Sequence, residues 1–317
     1  RITVKYRRND SDILSDNFEI SKKYKASYSS WYKRQKYYFK PERMMVMLKK
    51  YTLQHGKETI LAKFDPDDTN KYKNKEEVEE EFEKLQEKLR NLQDKLFASK
   101  KHAVLILFQG MDCSGKDGVI KKALSNLNPQ GFRTESFKKP TEDELAHDFL
   151  WRSHKVLPQK GYICAFNRSY YEDVLITRVH KTITDKEAEK RMAHIRNFEN
   201  LLLDNGVVLI KIFLHISKSF QMDKINERMG NPEKRWKFDP NDLQERQHWD
   251  QYVEAYENVF SQTARKKAPW YIVPANERWF RDFLVLQILV DTMEQLNLAY
   301  PEVTIEMNNL ISPVVRA

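Results

Sequence analysis

Only eight glycines occur in the 317 residues of this chain, and three of them fall inside "GMDCSGKDG", residues 110–118. Gly110, Gly115 and Lys116 fill the pattern Gly-x-x-x-x-Gly-Lys, with Gly118 just beyond. Glycines at these places let backbone N–H groups turn inward around an anion. A helix amino terminus adds positive potential, and the lysine reaches the phosphates. The next position ordinarily carries Ser or Thr, whose hydroxyl holds magnesium. Here it carries Asp117, and a second carboxylate, Asp112, lies within the loop. Carboxylates repel phosphates unless a divalent cation lies between them, and Mg²⁺ binds through one or two carboxylates plus substrate phosphates. Asp112 is therefore expected to contact the metal or polarise the attacking phosphate oxygen, with Asp117 in support.

Two further segments carry charge suited to phosphate. In "AFNRSYYEDVLITRVH", residues 165–180, Asn167 stands where an aspartate for magnesium often ends the strand beside such a loop. Arg168 follows it, Glu172 and Asp173 come one helical turn later, and Arg178 is placed to neutralise charge on a transferred phosphoryl group. In residues 226–252, Arg228, Lys234, Arg235, Lys237 and Arg246 surround a Gly-Asn-Pro breaker. Between two helices this reads as a mobile lid over about 228–248, closing on phosphates and excluding water. Lys138, Lys139 and Arg152 add positive charge after the second strand. His147, His154 and His180 are expected to pack or hydrogen-bond, since no Ser–His–Asp or Cys–His arrangement stands near them.

These groups need a frame, and the apolar pattern supplies one. "AVLILF" from Ala103 is a continuous apolar run, as a strand buried on both faces requires. "FRTESF", "GYICAF", "VVLIKIFLHI" and "WYIVPA" are further strands. Helices are expected at "VIKKALSNL" and near 142–155, 185–205, 217–229, 241–262 and 278–297. Alternating strands and helices predict βαβ units around a mostly parallel sheet. Ahead of them, Val78, Phe82, Leu85, Leu89, Leu92 and Leu96 step by fours and threes along one helix face. That stripe is packing.

Composition narrows the classes. An apolar fraction of 40% with 32% charged residues describes a globular chain without a membrane span. Cys113 and Cys164, the only cysteines, suit free thiols in a reducing cytoplasm. The net charge of +9 points to an anionic partner. Residues 1–63, basic and tyrosine-rich, form an amino-terminal extension that packs on the body or a neighbouring subunit. One domain, holding the phosphate loop and the expected lid, follows over 64–317.

With these segments in view, the chain resembles the type-2 polyphosphate kinase family, and most of all its subclass acting on both AMP and ADP. The resemblance rests on "FDPDDT", "LILFQGMDCSGKDG", "NPQGFRTESFKKP", "ELAHDFLWR", "FNRSYYEDVLITRVH", "FLHIS", "PEKRWKF", "DLQERQHWDQYVEAY" and "APWYIVPA", in family order from about Phe64 to Pro301. It implies a P-loop kinase fold akin to thymidylate kinase, with a five-stranded parallel sheet flanked by helices and a helical lid. It implies Mg²⁺-dependent, reversible phosphoryl transfer from inorganic polyphosphate to AMP and ADP, with GMP and GDP as further candidates. By matching position, Asp112, Lys116, Asp117, Arg168 and Arg178 would be catalytic, and Asp112 and Asp117 would hold metal. Gly110, Ser114, Gly115, Gly118, Lys138, Arg152, Asn167, Glu172, Arg228, Lys237 and Arg246 would bind phosphate or nucleotide. A cytoplasmic homo-oligomer, dimer or tetramer, is implied, with neither nucleic acid nor membrane as partner. Cys113 and Ser114 replace small residues usual in the family loop, and Asp239 stands where Ser or Asn is common. Tyr170 replaces a frequent His and Lys224 a usual Arg, both near substrate segments and so bearing on nucleotide preference. The competing readings are an ATP-dependent nucleoside monophosphate kinase and a non-catalytic protein binding nucleic acid.

Overall fold

The apolar run at Ala103 becomes the central strand. In the computed structural model, which describes residues 47–53 and 56–302, β1 (Ala103–Gln109) is buried at every position. Among the described residues, β2 (Phe132–Ser136), β3 (Ile163–Asn167), β4 (Val207–His215) and β5 (Trp270–Pro274) complete one sheet in the order β2-β3-β1-β4-β5. Every neighbouring pair is parallel. The register sets Phe108 of β1 beside Asn167 of β3 and Ile212 of β4. β1 therefore lies where the chain winds outward in both directions, and ligands of such sheets bind beyond the carboxyl ends of the strands at that point. This is the five-stranded parallel sheet flanked by helices that the sequence led us to expect.

The helices cover both faces. α1 (Glu76–Ser99) buries Val78, Leu85, Leu89, Leu92 and Leu96, while Phe82 is half-buried under the Lys122 ammonium. α2 (Lys116–Ala123) starts directly from the glycine loop and ends four residues before the expected helix does. The single helix expected near 142–155 is instead two short ones, α3 (Glu142–Leu145) and α4 (Trp151–His154). Local hydrogen bonding explains the break. Thr141 and Glu144 close a capping box around α3, and the Asp148 carboxylate takes the Leu150 N–H at 3.0 Å. Short polar side chains compete with the helix in this way. α5 (Glu172–Val179), α6 (Asp185–Asp204) and α7 (Lys218–Gly230) follow, the last two capped by Thr184 and Ser217.

The lid segment runs from the end of α7 through a 3-10 turn at Arg235–Lys237 to α8 (Asn241–Glu245) and a second 3-10 turn at Arg246–His248. α9 (Trp249–Thr263) then returns the chain to the sheet, so the helix expected over 241–262 is divided. α10 (Arg278–Glu294) is buried from Phe280 through Val290 and packs against α1 and α2.

Lys211 of β4 is wholly buried and lies 2.9 Å from the equally buried Glu199 of α6. Glu199 also accepts from Tyr170 Oη (3.1 Å), Tyr171 Oη (2.6 Å) and Arg265 Nη2 (2.9 Å). Such satisfaction is what a buried charge requires, and loss of one partner strands the other. Tyr170 accordingly lies in the core, fully buried against Glu199.

Two units divide the chain: Lys49–Tyr300, which contains all the elements above, and the ends, Arg1–Leu48 with Pro301–Ala317. The expected extension, for residues 1–46, lies outside the described residues. Residues 56–63 belong to the larger unit: Leu61 is buried and its N–H donates to Glu257 of α9 at 2.6 Å. Among the described residues no helix is long and apolar enough to cross a membrane.

Candidate active site

The loop 110–115 leaves the buried end of β1 and is fitted too tightly for side chains at its two pattern glycines. Gly110 has φ 152°, and a Cβ there would sit 2.7 Å from Ser114 Oγ and 2.8 Å from the Leu214 carbonyl. Gly115 is left-handed at φ 87°, and its Cβ would lie 2.1 Å from Nη1 of Arg281. Arg281 is buried behind the loop, with Nε and Nη2 on Asp282 Oδ1 at 2.8 and 2.7 Å. Lys116 curls back over the loop, and its Nζ donates to the carbonyls of Gly110 (2.7 Å) and Met111 (3.1 Å). Burial, with Arg168 nearby, holds its pKa below the usual lysine value. Ser114 Oγ is buried without a protein partner. Buried polar atoms are nearly always satisfied, so this orphan marks the loop as a place where another polar group fits.

The expected acidic and basic partners converge on this loop. Arg168, following β3, places Nη2 2.8 Å from Asp112 Oδ1 and does so from a left-handed backbone, φ 64°. Non-glycine residues held there carry strain and cluster at functional sites. Burial works against the Arg168 charge, yet Glu172 and Asp112 outweigh it and raise its pKa above the ordinary arginine value. Asn167 donates to Asp117 Oδ1 at 2.6 Å. Gln109, the polar last residue of β1, donates to Glu172 Oε1 at 2.9 Å and accepts from Ser169.

The segment expected to be a lid meets the mouth of the loop around a cavity of about 200 Å³, lined by Asp112, Arg168 and Glu172 on one side and by Asp242, Glu245 and Arg246 on the other. Arg228 pairs with Asp242 at 2.9 Å. Burial first, and then the facing Asp112, raise the Asp242 pKa. Glu245 accepts from Tyr252 at 2.7 Å and meets His180 at 3.0 Å, so that histidine is a hydrogen-bonding one as expected. His147 stacks on Trp151 and His154 packs edge-on against Phe198.

Not every expected residue is brought in. Arg178 is tied to Asp185 (2.7 Å) and Asn258 (3.1 Å), outside the cavity. Lys237 is exposed above the Trp236 ring, Lys138 is exposed, and Lys224 is engaged by Glu227 at 2.8 Å. Arg152 is buried, held by the Lys138 carbonyl (2.9 Å) and Asp173 (3.1 Å), at the wall of a second cavity of about 720 Å³. Sequence reasoning passed over Gln109, Gln221 and Arg281. The signal was present for two of them: each is a strongly polar residue inside an apolar run, "LILFQ" and "RWFRDFLV".

Among the described residues no three His, Cys, Asp or Glu side chains converge on a metal-sized point. The hard oxygen donors at the loop are the carboxylates of Asp112 and Asp117.

Residues 72–301 match the family profile described as Polyphosphate kinase 2. A protein of Meiothermus ruber named AMP/ADP-polyphosphate phosphotransferase is 46% identical over 256 residues, 80% of this chain and 96% of that one. An ADP-polyphosphate phosphotransferase of Rhodopseudomonas palustris is 44% identical over 273 residues, 82% of this chain and 94% of its own. The crystal structure of polyphosphate kinase 2 from Arthrobacter aurescens TC1 superposes with a TM-score of 0.77 at 35% identity, covering 84% of this chain and all of that one.

Proposed function

The chain belongs to the polyphosphate kinase 2 family, and from that premise we propose that it transfers phosphoryl groups reversibly between inorganic polyphosphate and adenine nucleotides, AMP to ADP and ADP to ATP. The observation that carries the reading is the carboxylate pair in the phosphate loop, Asp112 and Asp117, held by Arg168 and Asn167. Donor and acceptor are both phosphate chains, so charge must be screened where they meet. Phosphoryl transfer asks mainly for positioning and charge stabilisation, and no covalent nucleophile is needed.

Within this reading each side chain has a task. The loop amides, Lys116 and the orphaned Ser114 hydroxyl bind phosphate oxygens, while Arg168 pairs with Asp112 and faces the same mouth. Arg228 and Arg246 seat the lid and exclude water, which otherwise consumes the donor. The loop fits magnesium, a hard cation that takes one or two carboxylates and completes its shell with phosphate oxygens and water. Asp112 would hold it with Asp117 in support, and when bound it screens the repulsion between the two chains. Arg178 and Lys138 act on phosphate only if they swing in from their present positions. A cytoplasmic homo-oligomer, dimer or tetramer, completes the proposal, and the two free cysteines suit a reducing compartment.

The test is a turnover assay with magnesium and AMP, ADP, GMP or GDP, supplied with either long-chain polyphosphate or ATP. Product is expected with polyphosphate as donor. ADP formation from AMP and ATP alone, with polyphosphate inert, would return the chain to the nucleoside monophosphate kinases. Light scattering of the purified protein gives the oligomer size.

A further inference from the structure

Gln221 of α7 is a buried amide with both ends in use, and no role above employs it. It is 3% exposed. Its Nε2 donates to the backbone carbonyl of Asp112 at 3.1 Å, and its Oε1 accepts from Arg246 Nη1 at 2.9 Å. The same Arg246 nitrogen donates to the Lys218 carbonyl at 2.6 Å. The Asp112 carboxylate meanwhile holds Arg168. One residue of the phosphate loop is thus gripped on both sides: its side chain from β3 and its carbonyl from α7. The chain of contacts Arg168–Asp112–Gln221–Arg246 runs from the sheet through the loop to the end of the lid.

The chemistry of the amide is specific to this place. A flipped amide would set its NH₂ against a guanidinium and its oxygen against a carbonyl, so the surroundings fix the orientation. A carboxylate at this position would still receive Arg246 but would offer the Asp112 carbonyl no donor. An apolar side chain would leave both partners without it. Buried donors and acceptors deprived of a partner are costly, so the lid arginine and the loop carbonyl each have a reason to keep the other's link in place.

We propose that Gln221 is a positioning residue that couples the seating of Arg246 to the setting of Asp112, so that the loop holds its productive geometry only when the lid is home. The proposal rests on the phosphotransferase reading above. It accounts for why an amide, and not a simple packing residue, sits beneath the lid. A transferase between two phosphate chains gains from such a link, because an assembled loop under an open lid would pass phosphoryl groups to water.

A double-mutant cycle tests this. Gln221→Leu, Gln221→Glu, Arg246→Met and Gln221→Leu/Arg246→Met are compared in polyphosphate-driven ADP formation from AMP. Each single variant is expected to lose about 10- to 100-fold in kcat, the loss that follows a misplacement of about 1 Å, with KM for AMP within about threefold. The double variant should be no worse than the poorer single one. Gln221→Glu should fall as far as Gln221→Leu, although it keeps the Arg246 partner. Losses that multiply in the double variant, or a Gln221→Glu enzyme with full kcat, would overturn the coupling. Trypsin cleavage in the lid at Lys234, Arg235 and Lys237 supplies a readout independent of turnover. Gln221→Leu should accelerate it as much as Arg246→Met does, and equal resistance to that of the parent protein would count against the link. Gln221→Asn, with the same chemistry on a shorter arm, replaces Gln221→Leu if the latter does not fold. If the parent protein transfers nothing from polyphosphate, the functional reading falls and the cleavage rates alone judge the coupling.

Discussion

Asp112 is where the chemistry of this site is concentrated, because its carboxylate meets Arg168 and its carbonyl meets Gln221. Asp112→Asn keeps the shape but removes the charge that the proposed metal and Arg168 both use. We expect kcat to fall by about 100-fold or more, and the proposed dependence on magnesium to be flatter than in the parent. A magnesium titration of both proteins checks this, and an asparagine enzyme with unchanged metal response would remove Asp112 from the metal's shell. Gly115 shows how one residue can be fixed twice over. Its left-handed φ favours glycine, and Arg281 occupies the space of any side chain. Gly115→Ala should lower Tm, and lower it less when Arg281 is also shortened to alanine. Equal losses in both backgrounds would deny the contact. The glycine pattern was legible in the sequence; its pairing with Arg281 was not, since 166 residues separate the two.

At the scale of elements, the stripe on α1 and the pin on β4 make separate claims. Leu85 is fully buried, so Leu85→Ala should cost about 2–5 kcal/mol in unfolding free energy while leaving kcat at 25 °C near that of the parent. Denaturant titration gives the number. His215, at the carboxyl end of β4, donates from Nε2 to the Phe64 carbonyl at 3.0 Å and so anchors the "FDPDDT" turn. Burial lowers its pKa from the ordinary 6.5, against the raising pull of Phe64 and Asp65. The neutral ring is therefore the form that the fold prefers. Its stabilising contribution is complete above about pH 6.5 and is lost as pH falls below that toward the depressed folded value. The Tm gap between the parent protein and His215→Gln should accordingly be widest above pH 6.5 and narrow below it. A gap independent of pH would refute the assignment. Elements of this length were readable from periodicity. The breaks at 146–150 and 246–248 were not, because caps and 3-10 turns depend on single side chains that leave the hydrophobic rhythm intact.

Over the whole molecule, a net charge of +9 and exposed lid cations such as Arg235 and Lys237 favour a long polyanion. Salt should weaken that attraction, since the Debye length shortens to about 8 Å at 0.15 M. KM for polyphosphate is expected to rise several-fold between about 0.05 and 0.3 M NaCl, and KM for AMP to change less. A polyphosphate KM insensitive to salt would mean that short-range contacts dominate. The sequence by itself determined the parallel sheet, the loop after β1 and the family, because those features repeat locally: apolar runs, glycine spacing, contiguous motifs. Tertiary structure alone decided which charges meet. It brought Arg168 and Gln221 to Asp112 across 56 and 109 residues, turned Tyr170 into the core, and tied Arg178 to Asp185 outside the cavity. A side chain's partner depends on where the backbone crosses in space, and no local pattern of residue types encodes that crossing.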